Sequence, residues 1–152
     1  MKTIITYGTF DVFHIGHLNI LERLSGMGDR LIVGVSTDDF NAKKGKNSLF
    51  SYEERSKIVG AIHCVDLVIP EHDWAQKKED IEKFDVTILG MGDDWEGKFD
   101  DLGAYCEIIY LPRTAEISST NLRQRLSGVS AEKVEEIRKG LDSLVNIVKA
   151  LN

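Results

Sequence analysis

A chain of 152 residues, 42% hydrophobic and 29% charged, is long enough for one domain with a real core and has the balance of a soluble globular protein. Its formal charge of −6 argues against sequence-independent binding of nucleic acid, which needs a basic face to displace counterions from phosphates. No signal-peptide pattern opens the chain and no apolar run approaches the ~20 residues that span a bilayer, so a cytoplasmic protein without membrane insertion is expected.

Thr3-Ile4-Ile5-Thr6-Tyr7 is β-branched and apolar, as a buried strand is, while Leu18, Ile20, Leu21 and Leu24 recur at helical spacing. Gly8-Thr9-Phe10-Asp11-Val12-Phe13-His14-Ile15-Gly16-His17 joins them as a turn and a helix start. His14 and His17, three apart, project from one face of that first turn. Unpaired N–H groups and the helix dipole already favour an anion there, and two imidazole donors make a phosphate site. Gly16, without a Cβ, admits a bulky phosphate to the backbone. Two polar residues in a solvated turn are the plainer alternative, but the pairing, the spacing and the strand–turn–helix context favour the site.

Arg30–Ser36 reads as a second strand, completing a right-handed βαβ unit, and Asp38 follows at its carboxyl end, where ligands of open sheets gather. Asn41–Ser48, with three lysines and a glycine, reads as a loop that could cover the site and bring Lys44 and Lys46 to a polyphosphate. Ser51 and Glu54 form a capping box, Arg55 follows on the first turns, and Ile58, Val59 and Ile62 mark the buried face. Arg55 either reaches into the site or pairs with Glu53 or Glu54.

Val65–Pro70 reads as a third strand stopped by proline, then Trp74, Lys77, Lys78 and Ile81 outline a polar helix. Asp85–Gly90 is a fourth strand running into the glycine-, acid- and tryptophan-containing stretch Met91–Asp100, and Cys106–Pro112 is a fifth. Arg113 and the hydroxyls of Ser118, Ser119 and Thr120 then lead into a helix carrying Leu122 and Leu126, a second arrangement suited to an anion. Cys64 and Cys106 lack metal-ligand spacing and read as small buried residues. From Ser130 onward, Val134, Ile137, Leu141, Leu144, Val148 and Leu151 form a stripe that must find apolar surface, within the chain or across a dimer. The expected fold is α/β: a Rossmann-like doubly wound sheet of about five parallel strands over residues 1–128, with a C-terminal helical extension over 129–152.

The stretch T-F-D-x-x-H-x-G-H after a first strand resembles the HxGH nucleotidylyltransferase superfamily. The letters H-I-G-H also resemble the class I aminoacyl-tRNA synthetase signature, but the chain is short for an anticodon domain and lacks that group's lysine loop at Ile117–Thr120. Ser36-Thr37-Asp38, Lys44, Lys46, Ser51-Tyr52-Glu53, Met91–Phe99, Arg113-Thr114 and Ile117-Ser118 extend the likeness over residues 1 to about 128. Through them the chain resembles the cytidylyltransferase family, and within it the members that use glycerol 3-phosphate.

That resemblance implies transfer of CMP from CTP to glycerol 3-phosphate, giving CDP-glycerol and pyrophosphate, with Mg²⁺ carried on the triphosphate and a homodimeric assembly. It implies catalytic roles for His14, His17, Lys44, Lys46 and Arg113. Nucleotide contacts are implied for Gly8, Thr9, Phe10, Asp11, Gly16, Asp94, Thr114, Ser118 and Ser119, and acceptor contacts for Asp38, Arg55, His63 and Lys77. Phosphoethanolamine and phosphocholine present the same attacking group as glycerol 3-phosphate, and a non-catalytic nucleotide-binding module is the alternative of a different class. The chain departs from the family's habit at Glu116, where a glycine is usual, and at His63, where an arginine is usual. A carboxylate at position 116 is unfavourable beside a triphosphate unless it points away.

Overall fold

The computed structural model describes residues 1–115, 117–128 and 131–151. The chain forms two compact units, Met1–Ile117 and Ser118–Asn152. The departure at Glu116 lies outside the described residues.

The first unit holds five parallel strands: β1 (Thr3–Gly8), β2 (Arg30–Ser36), β3 (Leu67–Glu71), β4 (Val86–Gly92) and β5 (Glu107–Leu111). Their order, β3-β2-β1-β4-β5, reverses direction between β1 and β4, so the carboxyl ends of those two strands frame the crevice of a doubly wound sheet. Neighbouring residues of β1 face opposite sides, which builds two cores. Ile4 packs with Leu21, Leu24, Leu31, Val33 and Val59 on one side. Ile5 and Tyr7 pack with Ile32, Ile81, Leu89, Met91 and Phe99 on the other. The first core is covered by α1 (Ile15–Ser25) and α3 (Tyr52–Gly60), the second by α4 (Gln76–Lys83).

Four sequence expectations need correction. β3 is not stopped by Pro70: it continues to Glu71, with Pro70 in register opposite Val35, because an edge strand leaves one side free of ladder bonds and tolerates a missing N–H. The lysine loop begins later than expected, because Asp38–Lys43 forms a short helix, α2. The Thr37 hydroxyl caps α2 by accepting from the Phe40 N–H, and Phe40 and Asn41 are buried. On α3 the Ser51–Glu54 capping box is present and Val59 is buried, but Ile58 is exposed. Cys64 and Cys106 are free thiols, half-buried rather than fully so, and burial pushes both above their ordinary titration range.

The second unit contains α5 (Ser119–Leu126), capped by the Ser118 hydroxyl accepting from the Asn121 N–H, and α6 (Ala131–Leu151). Along α6 the stripe from Val134 to Leu151 is exposed. No helix among the described residues is long and apolar enough to cross a membrane.

Candidate active site

The turn after β1 is held in an uncommon backbone. Phe10 and Val12 both adopt left-handed conformations, with φ of 53° and 49°, a costly choice for a β-branched residue. Asp11, buried between them, accepts the N–H groups of Leu49 at 2.7 Å and Phe50 at 3.0 Å. Arg55 is fully buried and donates to the carbonyls of Thr9 at 2.7 Å and Phe50 at 3.0 Å, and to Asp38 at 2.9 Å. The Thr9 hydroxyl donates to Asn41 at 3.2 Å. Turn 9–11 and the lysine-bearing segment are thereby tied into one piece.

At the start of α1 the two histidines have fixed tautomers. His14 is the N-cap, its Nδ1 accepting from the Gly16 N–H at 3.0 Å, while His17 Nδ1 accepts from the His14 N–H at 3.2 Å. A ring nitrogen that accepts carries no proton, so each neutral ring keeps its proton on Nε2. The rings stack with centroids 3.9 Å apart, and Phe10 and Phe13 flank His17 at 5.4 and 5.3 Å. Burial lowers the pKa of His14, and burial together with His14 pushes His17 down to about 4, against a smaller opposing pull from Asp11. At neutral pH the pair therefore presents two neutral N–H donors. Gly16 has a reason beyond the one expected from the sequence: a Cβ there would stand 2.8 Å from the His14 ring, so glycine makes room for the cap itself.

Lys44 and Lys46 lie near the carboxyl ends of β2 and β4. Lys44 Nζ donates to Ser36 Oγ at 3.1 Å and lies 4.2 Å from the centre of the Phe40 ring. Burial pushes Lys44 down to about 8. Lys46 Nζ lies 5.9 Å from the Trp95 ring, just past the end of β4. Arg113 and Asp94 form an ion pair on the surface, and Thr114 accepts from Asn19 of α1 at 3.0 Å. Gly8 lies beneath Phe10, where a Cβ would stand 2.9 Å from the ring. Ser118 and Ser119 belong to the second unit, Ser118 serving as the cap of α5.

Two expected acceptor residues do other work. His63 precedes β3, at the amino edge of a parallel sheet, so the length of a strand separates it from the carboxyl edge where His14 lies. Arg55 has no surface to offer a ligand, and its partner Asp38, which also accepts from the Tyr52 N–H at 3.1 Å, clamps the start of α3. The Tyr52 N–H, and then Arg55, hold the Asp38 carboxyl below its ordinary range.

Lys77 is 1% exposed and pairs with Glu71 at 2.6 Å. Glu71 Oε2 accepts from Ser36 Oγ at 3.2 Å, so one buried carboxylate organises Lys77 directly and Lys44 through the serine. Nothing in the sequence singled out Glu71, which follows a proline read as the strand's end. Tyr7, also missed, donates its hydroxyl to Asp80 at 2.8 Å, and burial with that carboxylate keeps the phenol protonated far above its usual range.

The fold is thus a doubly wound sheet whose first turn carries two stacked neutral imidazoles beside the β1–β4 switch point. The chain belongs to the cytidylyltransferase-like family, which it matches over residues 5–125. It is 53% identical over 132 residues to a glycerol-3-phosphate cytidylyltransferase of Staphylococcus aureus (strain NCTC 8325 / PS 47), covering 87% of this chain and all of the relative. To the enzyme of that name from Bacillus subtilis (strain 168) it is 51% identical over 129 residues, covering 85% of this chain and again all of the relative. An ethanolamine-phosphate cytidylyltransferase of Mus musculus is 35% identical over 151 residues, 90% of this chain but 37% of that protein. Among solved structures, the lipopolysaccharide core biosynthesis protein from Thermoplasma volcanium GSS1 superposes with a TM-score of 0.64 at 26% identity, over 75% of this chain and 98% of that one.

Proposed function

We propose that the protein transfers CMP from CTP to glycerol 3-phosphate, releasing pyrophosphate and CDP-glycerol, a precursor suited to a teichoic acid or another surface polymer. The observation that carries this reading is the histidine pair, two neutral rings whose Nδ1 atoms are engaged by the backbone so that both Nε2–H groups serve as donors. An oxygen of the acceptor phosphate attacks the α-phosphorus, a new P–O bond forms and the bond to pyrophosphate breaks. His14 and His17 donate to the phosphoryl oxygens on which charge builds. Lys44, Lys46 and Arg113 neutralise the attacking, transferring and departing phosphates, so the work is positioning and electrostatics without a protein nucleophile. Arg113 exchanges Asp94 for pyrophosphate, since an exposed ion pair holds by only about 0–1 kcal/mol.

The remaining nucleotide contacts of the first unit are assigned to Gly8, Thr9, Phe10, Asp11, Gly16, Asp94 and Thr114. Lys77 and the Asp38 end of the lysine segment border the acceptor. Mg²⁺ carried on the triphosphate is part of this reading, and no step of it is routed through a protein metal cage. We further assign the protein to the cytoplasm and to a homodimer to which the exposed stripe of α6 contributes area.

The reading is tested by competition. Initial rates of pyrophosphate release should favour CTP over ATP, and glycerol 3-phosphate over phosphoethanolamine and phosphocholine, by about a hundredfold or more. Preference for ATP or for an amino-alcohol phosphate rejects it.

A further inference from the structure

α6 keeps one heptad frame over its 21 residues, with Val134, Leu141 and Val148 at the first core position and Ile137, Leu144 and Leu151 at the second. All six are more than half exposed, and Val145 and Ile147 beside them widen the apolar face of the C-terminal half. A continuous face of this kind marks an interaction surface. The helix begins after residue 125, where the family match ends, so it is an addition to the part of the chain that the family shares.

Two features of α6 indicate what covers it. Gly140 stands in the helix interior, where only proline is a poorer choice, and a Cβ built on it would meet nothing within 4 Å among the described residues. A seat for a bulky side chain of the covering surface gives that glycine a purpose. Residues 131–151 carry four acidic and four basic side chains, so the helix has no net charge and lacks the basic face that an anionic lipid surface attracts.

A second α6 fits both features, and the frame decides its direction. In a parallel pair Lys133 would flank Arg138 of the second copy, setting like charges side by side. In an antiparallel pair Val134 meets Leu151, Ile137 meets Val148 and Leu141 meets Leu144, each contact occurring twice about the two-fold axis, so every core position is filled. That register holds Lys133 roughly 20 Å along the axis from Arg138 of the second copy. It also sets Ile147 of each helix over Gly140 of the other, the wide half of one stripe against the narrow half of its twin.

We propose that α6 is the docking surface for a second copy of this chain, the two helices lying antiparallel with Ile147 of each seated on Gly140 of the other. The inference rests on the homodimer assigned above and names the surface and register of one of its contacts. It is independent of the chemistry assigned to the histidines.

The test uses the full chain with Cys64→Ser and Cys106→Ser, so that introduced thiols are the only ones. A Val134→Cys chain is mixed with a Leu151→Cys chain of distinguishable mass in glutathione buffer, and the disulfide-linked pairs are weighed by mass spectrometry. The 134–151 link should exceed the 134–134 and 151–151 links together by about tenfold or more, because the two positions lie ~25 Å apart along one helix and opposite each other only in the antiparallel pair. By sedimentation equilibrium, Gly140→Ile should weaken self-association about a hundredfold, although it favours the helix itself, and exchanging the two residues in Gly140→Ile with Ile147→Gly should restore it to within about threefold. Dominant 134–134 links, a statistical mixture, or association indifferent to Gly140→Ile overturns the proposal, as does a monomer that sediments with phosphatidylglycerol vesicles. A dimeric parent without the 134–151 link rejects this pairing alone, whereas a parent monomeric at every concentration rejects the homodimer and the pairing with it.

Discussion

Raising the pH should switch off Lys44 well before an ordinary lysine. Burial lowers its pKa to about 8, Lys46, Lys77 and Arg55 push the same way, and Glu71 opposes them. With a midpoint near 8, about one free enzyme molecule in ten keeps this cation at pH 9, whereas an exposed lysine titrating near 10.4 would be almost fully charged. If Lys44 neutralises phosphate charge, kcat/KM for CTP, which reports the free enzyme, should fall about tenfold per pH unit above 8. Bound triphosphate favours the charged form, so the decline in kcat should lie at higher pH. Lys44→Arg, whose side chain stays protonated, should abolish the decline, and Lys46→Met should move it upward by removing one repelling charge. The opposite sign holds for stability. The fold disfavours the charged form, so this group's contribution becomes more favourable as pH rises from about 8 toward the unfolded value near 10.4. The reasoning fails if kcat/KM is level to pH 9.5 in the parent, or if the decline persists in Lys44→Arg.

Alanine at His14 or His17 should lower kcat by on the order of a hundredfold while CTP affinity changes much less, and equal losses in rate and affinity would make them ground-state ligands. An NMR titration of the ring protons should show His17 neutral down to about pH 5, because it does not charge until about 4, and charging at pH 6 or above would contradict this. Arg55→Ala, which removes the donor to two backbone carbonyls from a fully buried position, should lose about 3 kcal/mol of stability in urea titration, far more than a surface arginine would. Truncation after Gly128 should weaken self-association measured by light scattering, and an unchanged dimer would show that the α6 stripe adds nothing to the interface.

The sheet was legible because its strands are continuous β-branched runs and its helices carry 3.6-residue periodicity; β2 begins and ends at the residues the sequence indicates. The histidine motif was legible because spacing alone puts both rings on one helical turn. Less visible were features that depend on long-range packing. α2 is too short to show a period, and Pro70 reads as a terminator unless β3 is known to lie at the sheet edge. Arg55 could be read as reaching into the site or as pairing with Glu53 or Glu54, because nothing local reveals that Thr9, forty-six residues earlier, supplies its acceptor. Glu71 and Tyr7 are ordinary letters in the sequence, and only the register of β1, β2 and β3 gathers them around Lys77.

The central claim is that the stacked histidines and the lysine segment join CMP to glycerol 3-phosphate. Phosphorus NMR of the full chain with CTP, Mg²⁺ and glycerol 3-phosphate tests it most directly. The account predicts the paired resonances of a cytidine diphosphate ester and one equivalent of pyrophosphate, both absent when His14 and His17 are replaced by alanine together. Hydrolysis of CTP to CMP without the diphosphate ester, or product formation that survives the double replacement, would contradict it.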